Sequence, residues 1–120
     1  MTESCGIHLK DVVGSDNKLN DFINTNILNP DLLTVPKIGP NTAKELKRKG
    51  IKTTNDLIGK FLTLRCDYVE CLQWLGATVS FTQSKQIVSV VFYRMEMMGF
   101  VIPKLPDDWV KLDRHGNRPE

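Results

Sequence analysis

The chain has 120 residues and a mass of 13.6 kDa, with 41% hydrophobic and 25% charged residues, which fits a single globular core and excludes wholesale disorder. Its net charge of +2 conceals a local excess: residues 37–52 hold six bases against one acid, while residues 1–36 hold five acids against two bases and the rest balances. No apolar run approaches the ~20 residues of a membrane span, so membrane insertion is not expected. From the amino end, Ser15 or Asp16 is placed to cap a first helix carrying Leu19, Phe22, Ile23 and Ile27 on one face. Asn29-Pro30 repeats that start signal ahead of Leu32 and Leu33. After the turn Pro36-Lys37-Ile38-Gly39, Pro40 suits a first helical position, and the helix runs through Ala43 and Leu46 to a stop at Gly50. Thr53 followed by Asp56 has the form of a capping box and opens a helix with Leu57, Ile58, Phe61 and Leu62 inward. A further patterned stretch holds Val69, Leu72, Trp74 and Leu75. The last helix starts near Thr82, with Ile87, Val88, Val91, Phe92 and Met95 at helical spacing. Val88–Val91 alone has strand-like composition, and its flanks favour helix. Pro103–Glu120 reads as an extended tail that Trp109 tacks to the body.

Cys5, Cys66 and Cys71 are odd in number, and Met1–Lys10 lacks the basic and apolar regions of a secretory leader. The expected compartment is therefore intracellular, in the nucleus or the cytoplasm. Only His8 and His115, both in predicted tails, could join Cys66 and Cys71 around a metal, so no metal or other cofactor is expected. Cys71 reads as a small apolar residue on a helix face.

The stretch Leu32–Ile51 carries the chemistry. It resembles a helix-hairpin-helix: a short apolar helix, a tight hairpin around Ile38-Gly39, and a second helix ending at Gly50-Ile51. Glycine at 39 lets a phosphate approach the backbone. A helix starting immediately afterwards leaves the amides of Asn41 and Thr42 unpaired at the positive end of its dipole. Lys44, Lys47 and Arg48 add charge nearby. Such contacts reach only the nucleic-acid backbone and read no sequence. The competing reading of the same residues is an ordinary helix start with a solvated lysine face.

Beyond the hairpin, Asp16-Asn17-Lys18, Asp21-Phe22, the run Leu57-Ile58-Gly59-Lys60-Phe61-Leu62-Thr63-Leu64-Arg65, Trp74-Leu75 and Gln83-Ser84-Lys85 extend the pattern. Over roughly residues 16–100 the chain resembles the barrier-to-autointegration-factor family. The resemblance implies an all-α, compact five-helix domain with extensions at 1–15 and 101–120. It implies sequence-independent binding of double-stranded DNA and a homodimer that bridges two duplexes. It also implies nuclear-envelope or chromatin proteins as further partners. Carried over by position, the DNA surface is Asn17 and Lys18 with Ile38, Gly39, Asn41 and Thr42, and the neighbouring charges Lys37, Lys44 and Lys47 complete the expected DNA-binding set. A smaller patch near Phe81 and Thr82 joins it. The dimer interface is centred on Gly59 and Lys60. Two positions depart from the family: Lys37 stands where these hairpins have glycine, and Glu45 stands where the family has a DNA-contacting lysine. Two alternatives follow from the residues themselves. One is a protein-interaction module whose DNA surface has decayed. The other is a glycosylase-type fragment with Asp56 or Asp67 as base. No nucleophile–His pair or paired-carboxylate site appears, so no enzyme activity is expected.

Overall fold

The computed structural model describes residues 17–103, 105 and 111. The chain forms five α-helices and one short 3₁₀ turn. They are α1 (Asn17–Asn24), the 3₁₀ turn (Leu32–Thr34), α2 (Pro40–Arg48), α3 (Thr54–Thr63), α4 (Tyr68–Gly76) and α5 (Phe81–Met97). No strand occurs among the described residues. The seventeen-residue α5 is the central element, because Ile87, Val88, Val90, Val91, Phe92 and Met95 bury more than one of its faces. Phe61 of α3 lies at the middle of the core, edge-to-face with Phe92 at 5.7 Å and with Trp74 of α4 at 6.2 Å between ring centroids. After α5 the chain returns to the body, and Ile102 and Leu105 enter the same core.

Local signals explain most element boundaries. The hydroxyl of Thr53 accepts from the Asp56 amide, and the Asp56 carboxylate accepts from the Thr53 amide, both at 3.1 Å, completing the capping box of α3. Asp67 caps α4 and Ser80 caps α5 through the same residue spacing. The chain leaves α2 through Gly50 at φ 89°, with Ile51 donating to Leu46 O and Gly50 donating to Lys47 O. The end of α5 repeats this arrangement at Gly99. α3 ends the same way without glycine, at Arg65 with φ 58°.

Three expectations need correction. Ile27 was expected on the inner face of the first helix, but α1 stops at Asn24 and Ile27 is 82% exposed. Asn29 does not cap a helix. It accepts from the Asp31 amide, and Asp31 in turn caps what is only a single 3₁₀ turn. Leu62 lies at the margin of the stripe set by Leu57, Ile58 and Phe61, and is exposed. Ser15, Asp16, Trp109, Cys5, His8 and His115 lie outside the described residues.

Candidate nucleic-acid interface

The hairpin between the 3₁₀ turn and α2 is a tight turn built on a buried anchor. Val35 and Ile38 are fully buried, and the Ile38 amide donates to Val35 O at 3.1 Å across Pro36 and Lys37. Proline second and a positive φ third is the arrangement of a type II turn, whose third residue favours glycine. Here that residue is Lys37, at φ 72°. Lysine thus holds a turn position that favours glycine, at a strain on the order of 1–2 kcal/mol.

Two side chains from distant elements grip the carbonyls of this turn. Lys18 Nζ, on α1, donates to Ile38 O at 3.2 Å. Gln83 Nε2, on the first turn of α5, donates to Lys37 O at 2.7 Å. In a planar trans peptide the N–H points opposite the C=O. Anchoring the Ile38 carbonyl on one side therefore turns the Gly39 N–H to the other. Gly39 then precedes Pro40, which has no N–H, and no side chain caps α2. The Gly39 carbonyl accepts from Ala43 at 2.9 Å, while the amides of Gly39, Asn41 and Thr42 precede the first intrahelical bond. These three donors lie at the amino end of α2, the positive end of its dipole.

Gly39 has ordinary extended backbone, φ −96° and ψ −177°. A Cβ built there would meet nothing within 4 Å. Neither its conformation nor its packing among the described residues asks for glycine, and the space beside it is open. Around this mouth Asn17, Lys18, Lys37, Asn41, Lys44 and Lys47 are exposed and Thr42 is half-buried. Ile38 contributes differently from its neighbours. Its side chain is in the core, its amide is engaged by Val35 and its carbonyl by Lys18, so it shapes the site and offers no donor. The patch near Phe81 and Thr82 is drawn to the hairpin by Gln83, whose Nε2 also lies 3.5 Å from the Thr42 hydroxyl. Glu45 is paired with Arg48 at 3.2 Å, which removes part of its charge from the face.

The second expected surface lies on α3. Gly59 is half-buried, and a Cβ there would also meet nothing within 4 Å. Among the described residues no close packing accounts for glycine here, which costs up to about 1 kcal/mol in mid-helix. Lys60 beside it holds Nζ 5.5 Å from the Trp74 ring centroid, and Lys49 holds its own at 5.9 Å. The candidate catalytic bases are engaged elsewhere. The Asp56 carboxylate accepts from the amides of Lys52 and Thr53, which hold its pKa below the usual carboxylate range, and Asp67 caps α4. Burial pushes the thiols of Cys66 and Cys71 up, so both are protonated at neutral pH. Sequence reasoning missed Gln83, because its relation to the hairpin spans 46 residues and leaves no local signature.

Five helices surround one core, and the hairpin between the 3₁₀ turn and α2 leads into an uncapped glycine–proline helix start beside exposed lysines. A family model described as barrier to autointegration factor matches residues 14–91, well over half of the chain, and the chain belongs to that family. This is a non-enzymatic, DNA-binding family. No curated protein and no solved structure matches the chain. The match covers α1, the 3₁₀ turn, the hairpin, α2, α3, α4 and the first two-thirds of α5.

Proposed function

We propose that this protein binds double-stranded DNA without sequence preference, through the phosphate backbone, and bridges duplexes as a homodimer. The observation that carries the reading is the open start of α2. Among the described residues the amides of Gly39, Asn41 and Thr42 have no hydrogen-bond partner, glycine leaves room for a phosphate, and Lys18, Lys37 and Lys44 are exposed. Asn17 and Lys47 extend the basic face on either side. None of these groups reaches base edges, so they position the duplex without reading it. Two copies joined through α3 at Gly59 and Lys60 would carry two hairpins and hold two duplexes. The uncompensated glycine at 59 supports such a contact, because close approach of a symmetry mate gives it a purpose.

Titration with duplexes of unrelated sequence across a salt series tests this reading. With about three or four phosphates neutralised per subunit, log K against log[salt] should fall with a slope near −3 for each duplex bound. A flat salt dependence, or one strongly preferred sequence at fixed salt, refutes the backbone reading. Gly39→Glu should abolish binding while leaving the dimer intact. Gly59→Glu should yield helical monomers that bind one duplex and no longer compact long DNA. Sedimentation with and without a short duplex reads both outcomes, after circular dichroism has shown each variant folded. A folded Gly39→Glu that binds as wild type does would instead favour an interaction module of the same fold, consistent with the departures at Lys37 and Glu45.

A further inference from the structure

The strained turn at the tip of the hairpin is held by a side chain that belongs to neither the hairpin nor its lysines. Gln83 Nε2 donates to the carbonyl of Lys37, the residue at φ 72°, and lies 3.5 Å from the hydroxyl of Thr42 in the first turn of α2. It therefore spans the hairpin, touching the chain before and after the Ile38-Gly39 step. Its own footing is stiff. The Gln83 amide is capped by Ser80 Oγ at 3.2 Å, and the next residue, Ser84, is fully buried with its hydroxyl on Ser80 O at 2.9 Å.

The peptide joining Lys37 to Ile38 is consequently pinned at both of its polar ends. Its carbonyl is bound by Gln83, and its N–H donates to Val35 O at 3.1 Å. Lysine in a left-handed conformation favours opening of the turn, and both bonds oppose that opening. We infer that Gln83 is a positioning residue. It holds the Lys37–Ile38 peptide in the closed turn that aims the Gly39, Asn41 and Thr42 amides outward, and it compensates for the glycine that is absent at 37. The consequence for DNA rests on the phosphate reading above. The clamp itself does not.

A double-mutant cycle of Gln83→Met and Lys37→Gly tests the inference, with two readouts. The first, free of DNA, is hydrogen exchange of the Ile38 amide, whose bond to Val35 O exists only in the closed turn. The second is duplex affinity at fixed salt. Gln83→Met should accelerate Ile38 exchange and weaken binding by about tenfold, the equilibrium value of one lost hydrogen bond. With glycine at 37 the turn closes without help, and the same change should alter both readouts by less than about threefold. Gln83→Lys, which retains a donor, should keep Ile38 exchange at the wild-type level. Equal losses in both backgrounds, or Ile38 exchange indifferent to Gln83→Met, overturns the clamp. If exchange follows the expected pattern while wild type binds no duplex, the clamp stands and the phosphate reading falls.

Discussion

The amino ends of α2 and α3 lie fourteen residues apart, at Pro40 and Thr54, and the chain treats them in opposite ways. At α3, Thr53 and Asp56 exchange hydrogen bonds with each other's amides, the Asp56 carboxylate also takes the Lys52 amide, and the Thr54 amide donates to Pro30 O at 2.9 Å, so most donors at this end are satisfied within the fold. At α2, Gly39 offers no side chain and Pro40 no amide, and the donors that remain have no partner among the described residues. The same backbone chemistry thus gives a capped end in one case and an uncapped end, the proposed phosphate site, in the other. Side chains likewise cap the 3₁₀ turn, α4 and α5, through Asp31, Asp67 and Ser80. Among the described caps, only that of α2 has been left open, and it is the one in the basic stretch.

The sharpest way to break the contrast is to make α2 resemble its neighbours. Gly39 has the extended backbone of a capping residue, so Gly39→Asp should cap α2 as Asp67 caps α4, and stabilise the fold by a few tenths of a kcal/mol. The same carboxylate would occupy the phosphate position, and duplex affinity should fall by at least about a hundredfold. Thermal melts and duplex titration should therefore move in opposite directions. If both rise, the open end is not a phosphate site.

The converse change opens α3. Thr53→Ala should cost about 1 kcal/mol of stability, seen in denaturant unfolding, and leave duplex affinity unchanged. Loss of binding in proportion to stability would mean that the two ends are not independent. Lys37→Gly acts on the hairpin alone. It should raise stability by about 1 kcal/mol by removing left-handed strain, and reduce the magnitude of the salt slope by about one, because one cation leaves the approach.

The smallest expected effects are those of pH. Asp56 has its pKa lowered by the amide of Lys52 and then that of Thr53, so its contribution to stability is present above the unfolded value near 3.8 and is lost as pH falls through the lower folded value. Asp56→Asn should flatten that acid limb in unfolding curves. Cys71 behaves with the opposite sign. Burial raises its thiol pKa, so the stability it contributes is full below the unfolded value near 9.0 and declines as pH rises beyond it. Cys71→Ala should reduce the alkaline decline, although it also leaves a small cavity.

Much of this architecture was legible in the sequence, because its signals act over three to five residues. The capping box at Thr53–Asp56, the stop at Gly50 and the Gly39-Pro40 helix start depend on bonds within a single turn, and each is where its residue type demands. The local charge excess and the hairpin pattern were likewise enough to point to a phosphate-bearing partner. Tertiary packing decided the rest. Only the folded structure holds Lys37 left-handed, since the isolated dipeptide disfavours that conformation. Ile27 falls outside the core because α1 ends early, and Ile102 and Leu105 enter it because the chain returns after α5. The grips of Lys18 on Ile38 and of Gln83 on Lys37 join residues 20 and 46 positions apart, and no local pattern encodes them. The closure of such contacts depends on how α1 and α5 dock on one shared core, which is why a readable hairpin motif acquires its outward-facing amides only when the whole domain is folded.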